Sequence, residues 1–331
     1  MAAVEREWIL AGDIGGTKTN LGLFQNRGKR LALKVIETFS NAEAGDVESI
    51  VERFISRCRG TIASACFGIA GPVIGGRCRV TNLPWEVSET RLRRRFKWPT
   101  VRLINDLEAT AAAVLLLNER DLFVLNEGKT CKRQNIALLA PGTGLGTALL
   151  IHADGRYIPV PSEGGHVDFA PNSDEEAELC SYLRARFGHV GVERIASGPG
   201  LLNVYSWLKD SGRFQEPEWL AKEMEQGDAA SVISRTAMDR KHPLCVAALD
   251  TFVSILGAFA GNLALTAMCR GGVYLGGGIP PKILPRLKEP GFLESFSGKG
   301  RFKGLLQQIP VRVILNDKAA LLGAAKVACG L

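Results

Sequence analysis

Residues 8–24 read WILAGDIGGTKTNLGLF. An apolar stretch ends at Asp13, a Gly-Gly pair follows, and apolar residues partly alternate from Thr19 to Phe24, which predicts a strand, a tight turn and a returning strand. Backbone N–H groups and the hydroxyl at the tip, Gly15-Gly16-Thr17, can bind phosphate oxygens because glycine has no Cβ and accepts positive φ. The other interpretation is an ordinary hairpin with a polar tip.

The carboxylate of Asp13 stands directly before this tip and is expected to face any phosphate bound there. A carboxylate beside a triphosphate makes sense only if Mg²⁺ lies between them, usually through water. We therefore expect a magnesium ion near Asp13.

Residues 135–151, NIALLAPGTGLGTALLI, repeat the order of strand, glycine turn and strand. Strand-like segments followed by glycine also close each half, at residues 63–71 and 272–278. This weak internal repeat predicts two related α/β lobes that contribute glycine turns to a shared cleft. We interpret Gly142-Thr143-Gly144-Leu145-Gly146 as a second phosphate contact, because two similar turns can hold one nucleotide from both sides.

Two common phosphate-binding signatures are absent from the sequence. It contains no G-x-x-x-x-G-K-S/T, and no G-x-G-x-x-G follows the first strand. These absences exclude a P-loop protein and a dinucleotide-binding fold of the Rossmann type.

The length of 331 residues suits two domains rather than one compact core. The apolar fraction of 46% and the charged fraction of 23% are those of ordinary globular proteins. We expect a smaller lobe at 1–110, completed by a returning segment at 311–331, and a larger, more helical lobe at 111–310. Helices are expected at 46–57, 88–96, 108–117, 174–187, 199–208, 247–269 and 317–329.

The net charge of +7 raises the question of nucleic-acid binding, since basic surfaces bind phosphate backbones. The positive residues are mostly dispersed, and the densest run, 91–97, is interpreted as one solvated helix face. No nucleic-acid partner is expected. The charged first residues and the lack of a long apolar run favour a cytoplasmic protein without a membrane span.

Eight cysteines are scattered along the chain with no C-x-x-C pair. This pattern is typical of reduced thiols rather than of disulfides or a zinc site.

Asn105 and Asp106 follow a predicted strand at 101–104 and precede a predicted helix. Ligands bind at the carboxyl ends of strands in α/β sheets, and an aspartate there can accept a hydroxyl proton during phosphoryl transfer. The alternative is that Asp106 only caps the helix.

The segment 162–168, Ser-Glu-Gly-Gly-His-Val-Asp, gathers polar side chains around two glycines. A carboxylate next to an imidazole suits a polyhydroxyl ligand, because each acceptor or donor can discriminate one hydroxyl. The alternative is a polar surface turn, and the spacing gives little support to a metal site. Glu193, taken alone, is an ordinary charged loop residue.

These segments together resemble the bacterial glucokinase family, within the group that shares the actin, hexokinase and Hsp70 ATPase fold. The likeness runs through nearly the whole chain, and the order of the motifs and the stretch 162–171 are its specific marks. The resemblance implies a two-lobed actin-like (ribonuclease H-like) α/β fold, and the transfer of the γ-phosphoryl group of ATP to the 6-hydroxyl of D-glucose, the first step of glycolysis. There are two alternatives. One is a kinase for fructose, mannose or an N-acetyl amino sugar, and the other is a non-catalytic sugar sensor.

Carried over by position, the resemblance also implies roles for individual residues. Asp106 is the general base on the sugar 6-hydroxyl, and Asn105, Glu163, His166 and Glu193 hold the other hydroxyls. The implied nucleotide-binding residues are Gly12, Asp13, Ile14, Gly15, Gly16, Thr17, Gly142, Thr143, Gly144, Gly276, Gly277 and Gly278.

One departure from the related ROK sugar kinases and repressors concerns zinc. That family carries a cysteine-rich zinc motif after its Glu-x-Gly-His, whereas only Cys180 follows nearby in this chain. Zinc is therefore not expected, nor is a repressor role, because no helix-turn-helix precedes the first strand. The resemblance implies a homodimer.

Overall fold

The computed structural model describes residues 7–28, 30–81 and 83–330. Residues 1–6, which belong to the charged start of the chain that favoured a cytoplasmic protein, lie outside the described residues. The chain forms two compact units, the first made of Met1–Asn118 and Asn316–Leu331 and the second of Glu119–Leu315.

Helices separate the parallel strands of each sheet along the chain, as expected for an α/β protein. The strands are β1 (Glu7–Ile14), β2 (Lys18–Arg27), β3 (Arg30–Ser40), β4 (Thr61–Ile69), β5 (Arg77–Arg79), β6 (Glu86–Ser88), β7 (Thr100–Asn105), β8 (Leu122–Asn126), β9 (Ile136–Pro141), β10 (Leu145–Ala153), β11 (Arg156–Ser162), β12 (Gly272–Leu275) and β13 (Val311–Ile314). The α-helices are α1 (Val47–Ile55), α2 (Glu89–Phe96), α3 (Asp106–Val114), α4 (Asp174–Phe187), α5 (Gly198–Asp210), α6 (Glu218–Gln226), α7 (Ala229–Met238), α8 (Pro243–Thr266), α9 (Leu284–Leu287), α10 (Pro290–Ser297), α11 (Lys303–Gln307) and α12 (Ala319–Ala328).

The first unit is built on a five-stranded sheet in the order β3-β2-β1-β4-β7. β1 runs antiparallel to β2 and parallel to β4, and β4 runs parallel to β7. The apolar face of α1, with Val47, Ile50, Val51 and Phe54, is buried in the same core as β1. Because β1, β4 and β7 are parallel, their carboxyl ends lie at one edge of the sheet, where ligands bind in such folds.

Helices α3 and α12 pack closely against each other in the first unit. Gly323 permits this approach, since a Cβ there would lie 1.7 Å from the carbonyl oxygen of Ala109. Leu321 and Ala324 are buried in the same cluster as Ala109. The close packing fixes α3, and with it the helix start at Asp106.

The C-terminal segment divides between the two units. The sequence prediction assigned all of 311–331 to the smaller lobe, but β13 pairs with β12 and β8 in the second unit. Val311 and Val313 are buried there, as an interior strand requires. The chain joins the first unit from Asn316 onwards.

The second unit contains a six-stranded sheet in the order β11-β10-β9-β12-β13-β8. β9, β10 and β11 form an antiparallel meander like β1, β2 and β3, and β12 and β13 continue it in parallel like β4 and β7. The weak internal repeat of the sequence is therefore a repeat of sheet topology, to which β8 adds an antiparallel edge. The α/β class and the larger, more helical second unit are confirmed.

The longest helix, α8, is long and apolar enough to cross a membrane, although no such run was expected from the sequence. Most of it is buried in the core of the second unit. Cβ atoms at Gly257 and Gly261 would each lie 2.3 Å from a carbonyl oxygen of α10, that of Phe292 and that of Phe296. This is the environment of a core helix, which meets the same length and hydropathy criteria.

All eight cysteines are free. Burial raises the pKa of Cys66, Cys245 and Cys269 to about 12. These thiols are therefore protonated at neutral pH, where they behave as small apolar side chains.

Candidate active site

The first turn, Gly15–Thr17, joins β1 to β2 and is closed by a hydrogen bond from the Gly15 N–H to the Lys18 carbonyl oxygen, at 3.0 Å. Asn41, which is buried, braces this turn from the end of β3. Its Nδ2 donates to the Gly15 carbonyl oxygen at 2.8 Å, its Oδ1 accepts from the Thr19 hydroxyl at 2.8 Å, and its N–H donates to the Thr17 carbonyl oxygen at 3.0 Å. No local sequence pattern marks this residue.

The residues around the first turn are constrained by packing as well as by any ligand. A Cβ at Gly12 would lie 2.3 Å from the buried ring of Phe67. A Cβ at Gly15 would lie 3.3 Å from the Lys18 carbonyl oxygen, and the φ of Gly15 is not in the left-handed region that the sequence interpretation allowed for. The side chain of Ile14 is fully buried, so only its backbone can reach a ligand.

Asp13 is half-buried near the carboxyl end of β1, and its Oδ2 accepts a hydrogen bond from Asn20 Nδ2 at 3.1 Å. Burial raises the pKa of the Asp13 carboxyl above its usual value, while the Asn20 hydrogen bond and the charge of Lys318 act in the opposite direction. A partly desolvated carboxylate of this kind is stabilised when a cation binds beside it.

A metal ion at Asp13 would have few protein ligands. Residues 7–28, 30–81 and 83–330 contain no group of three His, Cys, Asp or Glu side chains that could hold one. Phosphate oxygens and water would have to complete the coordination, which is how Mg²⁺ is usually bound at nucleotide sites. The residues present therefore fit Mg²⁺ bound together with a nucleotide.

Asn105 and Asp106 lie where β7 ends and α3 begins. Asn105 is the N-cap: its Oδ1 accepts from the Leu107 N–H at 2.9 Å, and its Nδ2 donates to the Gly71 carbonyl oxygen at 3.2 Å. Asp106 is the first residue of the helix, and its Oδ1 also accepts from the Leu107 N–H at 2.9 Å. The cap position considered for Asp106 thus belongs to Asn105.

The start of α3 lies directly over β4 at Gly68. A Cβ on Gly68 would lie 2.9 Å from the Ala109 Cβ and 3.7 Å from the Asp106 Cα. Gly68 pairs in register with Asp13 on β1 and with Ile104 on β7. It therefore allows α3 to approach the sheet edge at the point that carries Asp13, a role that the sequence interpretation missed.

The second turn, Gly142–Gly144, joins β9 to β10 in the second unit. The Gly142 N–H donates to the Gly144 carbonyl oxygen at 2.8 Å, and the Gly142 carbonyl oxygen accepts from the Gly198 N–H at the start of α5, also at 2.8 Å. The Leu145 N–H donates to Glu193 Oε2 at 2.8 Å. A carboxylate side chain from outside the hairpin thus braces the second turn.

His166 lies between two carboxylates. Its Nε2 is 4.0 Å from Glu163 Oε2, and its Nδ1 is 4.0 Å from Glu193 Oε1. Neither contact is short enough for a hydrogen bond, and a ligand hydroxyl can bond to the imidazole and a carboxylate together. The side chains of Glu163, His166 and Glu193 are 76%, 63% and 31% exposed, so a ligand can reach all three.

A short 3₁₀ turn, Gly164–His166, presents this imidazole. A Cβ at Gly165 would lie 2.0 Å from the Leu145 carbonyl oxygen, and the Gly164 N–H donates to the Thr147 hydroxyl at 3.0 Å. The glycine pair is therefore required for the turn to pack on β10, which places His166 next to the second turn.

The glycine segment after β12 lies against the end of β9. The Gly276 N–H donates to the Leu139 carbonyl oxygen at 2.7 Å. Gly277 has a φ of 80°, and a Cβ there would lie 2.6 Å from the Pro141 carbonyl oxygen. Gly278 is exposed, with no atom within 4 Å of the position of a Cβ. This segment therefore adjoins the second turn, which begins directly after Pro141.

Each unit brings together its own part of the expected site. In the first unit, Asp13, Asn105 and Asp106 share one sheet edge beside the first turn, where Gly16 and the exposed Thr17 form the tip. In the second unit, Glu163 and Glu193 flank the imidazole of His166 beside the second turn, where the exposed Thr143 forms the tip. Asp168, the last polar residue of its motif, pairs with His189 at 2.8 Å.

Comparison with known proteins gives one consistent result. The model of the glucokinase family matches residues 10–330 of this chain. A glucokinase of Nostoc sp. is 38% identical over 98% of this chain and 99% of its own length. The crystal structure of a glucokinase from an Antarctic psychrotroph covers 99% of this chain and 100% of its own, with a TM-score of 0.87 and 30% identity.

A more distant structure supports the fold alone. The ROK family glucokinase from Streptomyces griseus, crystallised with glucose and AMPPNP, has a TM-score of 0.63 and 22% identity, and covers 98% of this chain and 100% of its own. Together with the closer structure, it confirms the expected sugar-kinase fold of the actin-like ATPase group.

Proposed function

The chain belongs to the glucokinase family, and we propose that it transfers the γ-phosphoryl group of ATP to the 6-hydroxyl of D-glucose, giving glucose 6-phosphate and ADP. It is a sugar kinase, and this reaction is the first step of glycolysis.

The observation that carries the proposal is the arrangement of the second unit. Glu163, His166 and Glu193 offer donors and acceptors for several hydroxyls around one imidazole. The carboxylate of Glu193 also accepts from the N–H of Leu145, the residue that follows the second turn. A polyhydroxyl site directly beside a phosphate site is what a sugar kinase requires, because acceptor and donor must meet.

Asp106 is proposed as the general base. Its place at the first position of α3 holds the carboxylate at the carboxyl edge of the sheet, and the Leu107 N–H fixes one of its oxygens. As the sugar oxygen attacks the γ-phosphorus and the bond to ADP breaks, the 6-hydroxyl proton passes to the Asp106 carboxylate. Asn105, Glu163, His166 and Glu193 would orient the sugar through its other hydroxyls.

The nucleotide is proposed to bind at the two glycine turns, with Gly276, Gly277 and Gly278 next to the adenosine. Asp13 would hold Mg²⁺ through water, and the ion would neutralise charge on the phosphates. The open space beside Gly142 and Gly278 supports this assignment, because a Cβ at either position would meet no atom within 4 Å. Close approach of backbone to phosphate is the property that glycine provides.

An ADP-release assay across glucose, fructose, mannose and N-acetylglucosamine tests the substrate. We expect kcat/KM for glucose to exceed that of each rival by at least about tenfold, since each misplaced hydroxyl leaves a polar group of the site unpaired. A higher kcat/KM for another hexose would assign the chain to that sugar. Glucose binding without ADP formation would make the protein a sensor.

Measurement of glucose 6-phosphate formed with ATP, ADP or polyphosphate tests the phosphoryl donor, for which we propose ATP. We also propose a cytoplasmic homodimer that needs no zinc and binds no nucleic acid. Sedimentation of the purified protein tests the dimer, and activity after removal of zinc, with Mg²⁺ kept, tests the metal requirement.

A further inference from the structure

Glu193 contacts both substrate sites of the second unit through one carboxylate. Its Oε2 accepts a hydrogen bond from the Leu145 N–H at 2.8 Å, directly after the second turn. Its Oε1 lies 4.0 Å from His166 Nδ1, on the side where a sugar hydroxyl is proposed to bind. The two oxygens belong to one rigid planar group, so a change in the position of one moves the other.

The backbone of Glu193 is anchored by contacts that do not involve its carboxylate. Its carbonyl oxygen accepts from the Ser197 hydroxyl at 2.7 Å, and Ser197 is the N-cap of α5. The Gly198 N–H of the same helix start donates to the Gly142 carbonyl oxygen. Conformational freedom at Glu193 is therefore confined to its side chain. The orientation of that side chain decides whether the Leu145 N–H has a hydrogen-bond acceptor.

The glycines of the second turn stand in different relations to this carboxylate. A Cβ at Gly144 would lie 2.6 Å from Glu193 Oε2, so any side chain there must displace the carboxylate. A Cβ at Gly142 would have no atom within 4 Å. One turn thus offers both a substitution that moves Glu193 and a matched substitution that does not.

We propose that the Glu193 carboxylate couples the sugar site to the nucleotide site, so that binding of the sugar makes the second turn ready for phosphate. A hydroxyl that donates to Oε1 fixes the carboxylate in the orientation that holds the Leu145 N–H. The turn then loses less freedom when phosphate binds, which increases nucleotide affinity. Such coupling is reciprocal, so nucleotide must strengthen sugar binding by the same factor. The inference rests on the proposed function of the site.

Calorimetric titration of glucose into nucleotide-free protein provides the test, with Gly144→Ala and Gly142→Ala as the matched pair. We expect Gly144→Ala to weaken glucose binding by at least about tenfold, since it displaces a charged hydrogen-bonding partner. Gly142→Ala, in the same turn, is expected to stay within about twofold of the unsubstituted protein. Equal glucose affinities for the two variants would overturn the coupling.

A double substitution shows whether Gly144→Ala acts through Glu193. In a Glu193→Ala background, Gly144→Ala should change glucose affinity no further, because the displaced group is already absent. An additive loss would place the effect of Gly144 elsewhere. If the unsubstituted protein binds no glucose, the proposed function fails and not merely the coupling.

Glu193→Gln carries the test if Gly144→Ala does not fold. The probe is a non-hydrolysable ATP analogue with Mg²⁺, titrated with and without glucose. Glucose should tighten analogue binding to the unsubstituted protein by about fivefold or more. Glu193→Gln should lose that gain and also weaken sugar-free analogue binding. If this variant bound the analogue without glucose as tightly as the unsubstituted protein does, Glu193 would act only as a sugar ligand, and the inference would be overturned.

Discussion

The two glycine turns occupy equivalent places in two sheets of the same topology, yet they are braced by different chemistry. The first turn is held by Asn41, a neutral amide whose residue is only 3% exposed. The second turn is held by Glu193, a carboxylate whose side chain is 31% exposed and whose other oxygen faces His166. One brace belongs to the core, and the other is accessible to ligand.

This difference indicates how the turns respond to the sugar. The hydrogen bonds of the Asn41 amide go to Thr19 and Gly15, neither of which is a proposed sugar ligand, so we expect the first turn to keep its geometry when sugar binds. The carboxylate of Glu193 is also a proposed sugar ligand, so we expect the second turn to depend on occupancy of the sugar site. The units also differ in their proposed tasks: the first carries the base Asp106, and the second carries the residues that recognise hydroxyls.

Removing the base should produce the largest effect and separate chemistry from recognition. Asp106→Asn keeps the size of the side chain but removes its capacity to accept a proton. We expect kcat to fall by about 10²–10⁴-fold, the range typical of general-base catalysis. Glucose affinity measured without turnover should change little, because the group acts mainly in the transition state.

Glu108→Gln is the matched control for Asp106→Asn, because it removes one negative charge from the same first turn of α3. Its kcat should stay within about threefold of the unsubstituted protein. A comparable loss of kcat in both variants would point to the charge of the helix start rather than to proton transfer.

Removing the Asn41 amide should have an effect of intermediate size, on stability and on the KM for ATP. Unlike Gly144→Ala, it should not change glucose affinity. Asn41→Ala leaves the Gly15 carbonyl oxygen and the Thr19 hydroxyl without their buried partner, so the free energy of unfolding should fall by about 2 kcal/mol. The KM for ATP should rise by about tenfold as the first turn loosens. Nucleotide-free glucose affinity should stay unchanged, in contrast to Gly144→Ala.

Asn26→Ala, which removes the same amide from an exposed position on β2, is the control for stability and KM. Chemical denaturation and steady-state kinetics measure the two quantities. If Asn41→Ala lowered glucose affinity as much as Gly144→Ala does, the contrast between the two braces would be lost.

Local patterns in the sequence predicted the elements that follow strong rules. The residues 174–187 form α4 with the expected bounds, where Ser173 caps the start and Gly188 ends the helix. Both glycine turns lie where the strand-turn-strand pattern put them. Asp106 lies at the strand-to-helix junction, which the pattern also indicated.

Such local patterns do not predict contacts between residues that are far apart in the sequence. Asn41 follows β3 in the sequence and looks like a turn residue, because nothing local shows that its amide reaches the first turn. Glu193, taken alone, is an ordinary charged residue in the sequence, and only the resemblance to the glucokinase family implies that it binds a sugar hydroxyl. β11 was missed because Pro159 and Pro161 argue against a strand, but β11 is an edge strand, where proline is tolerated.

The smallest expected effect concerns Asp13, a carboxylate that precedes the first turn and has no charged counterpart before the second turn. Asp13 stands two residues before Gly15, while its counterpart two residues before Gly142 is the uncharged Ala140. Because burial raises the pKa of Asp13 in the folded protein, its ionised form costs stability above that pKa. Asp13→Asn should therefore stabilise the ligand-free protein at pH 7 by about 1 kcal/mol, while impairing activity with Mg²⁺ and ATP.

The pH dependence of this gain follows from the direction of the shift. A raised folded pKa means that the stability contributed by the protonated Asp13 is present at acid pH and is lost as the pH rises through that pKa. The advantage of Asp13→Asn in thermal melts should therefore shrink as the pH falls towards about 4. The exposed Asp317, which contacts Lys318, supplies the control, and Asp317→Asn should leave the melting temperature nearly unchanged. A loss of stability in Asp13→Asn at neutral pH would mean that the hydrogen bond from Asn20 and the charge of Lys318 outweigh the burial of the carboxylate.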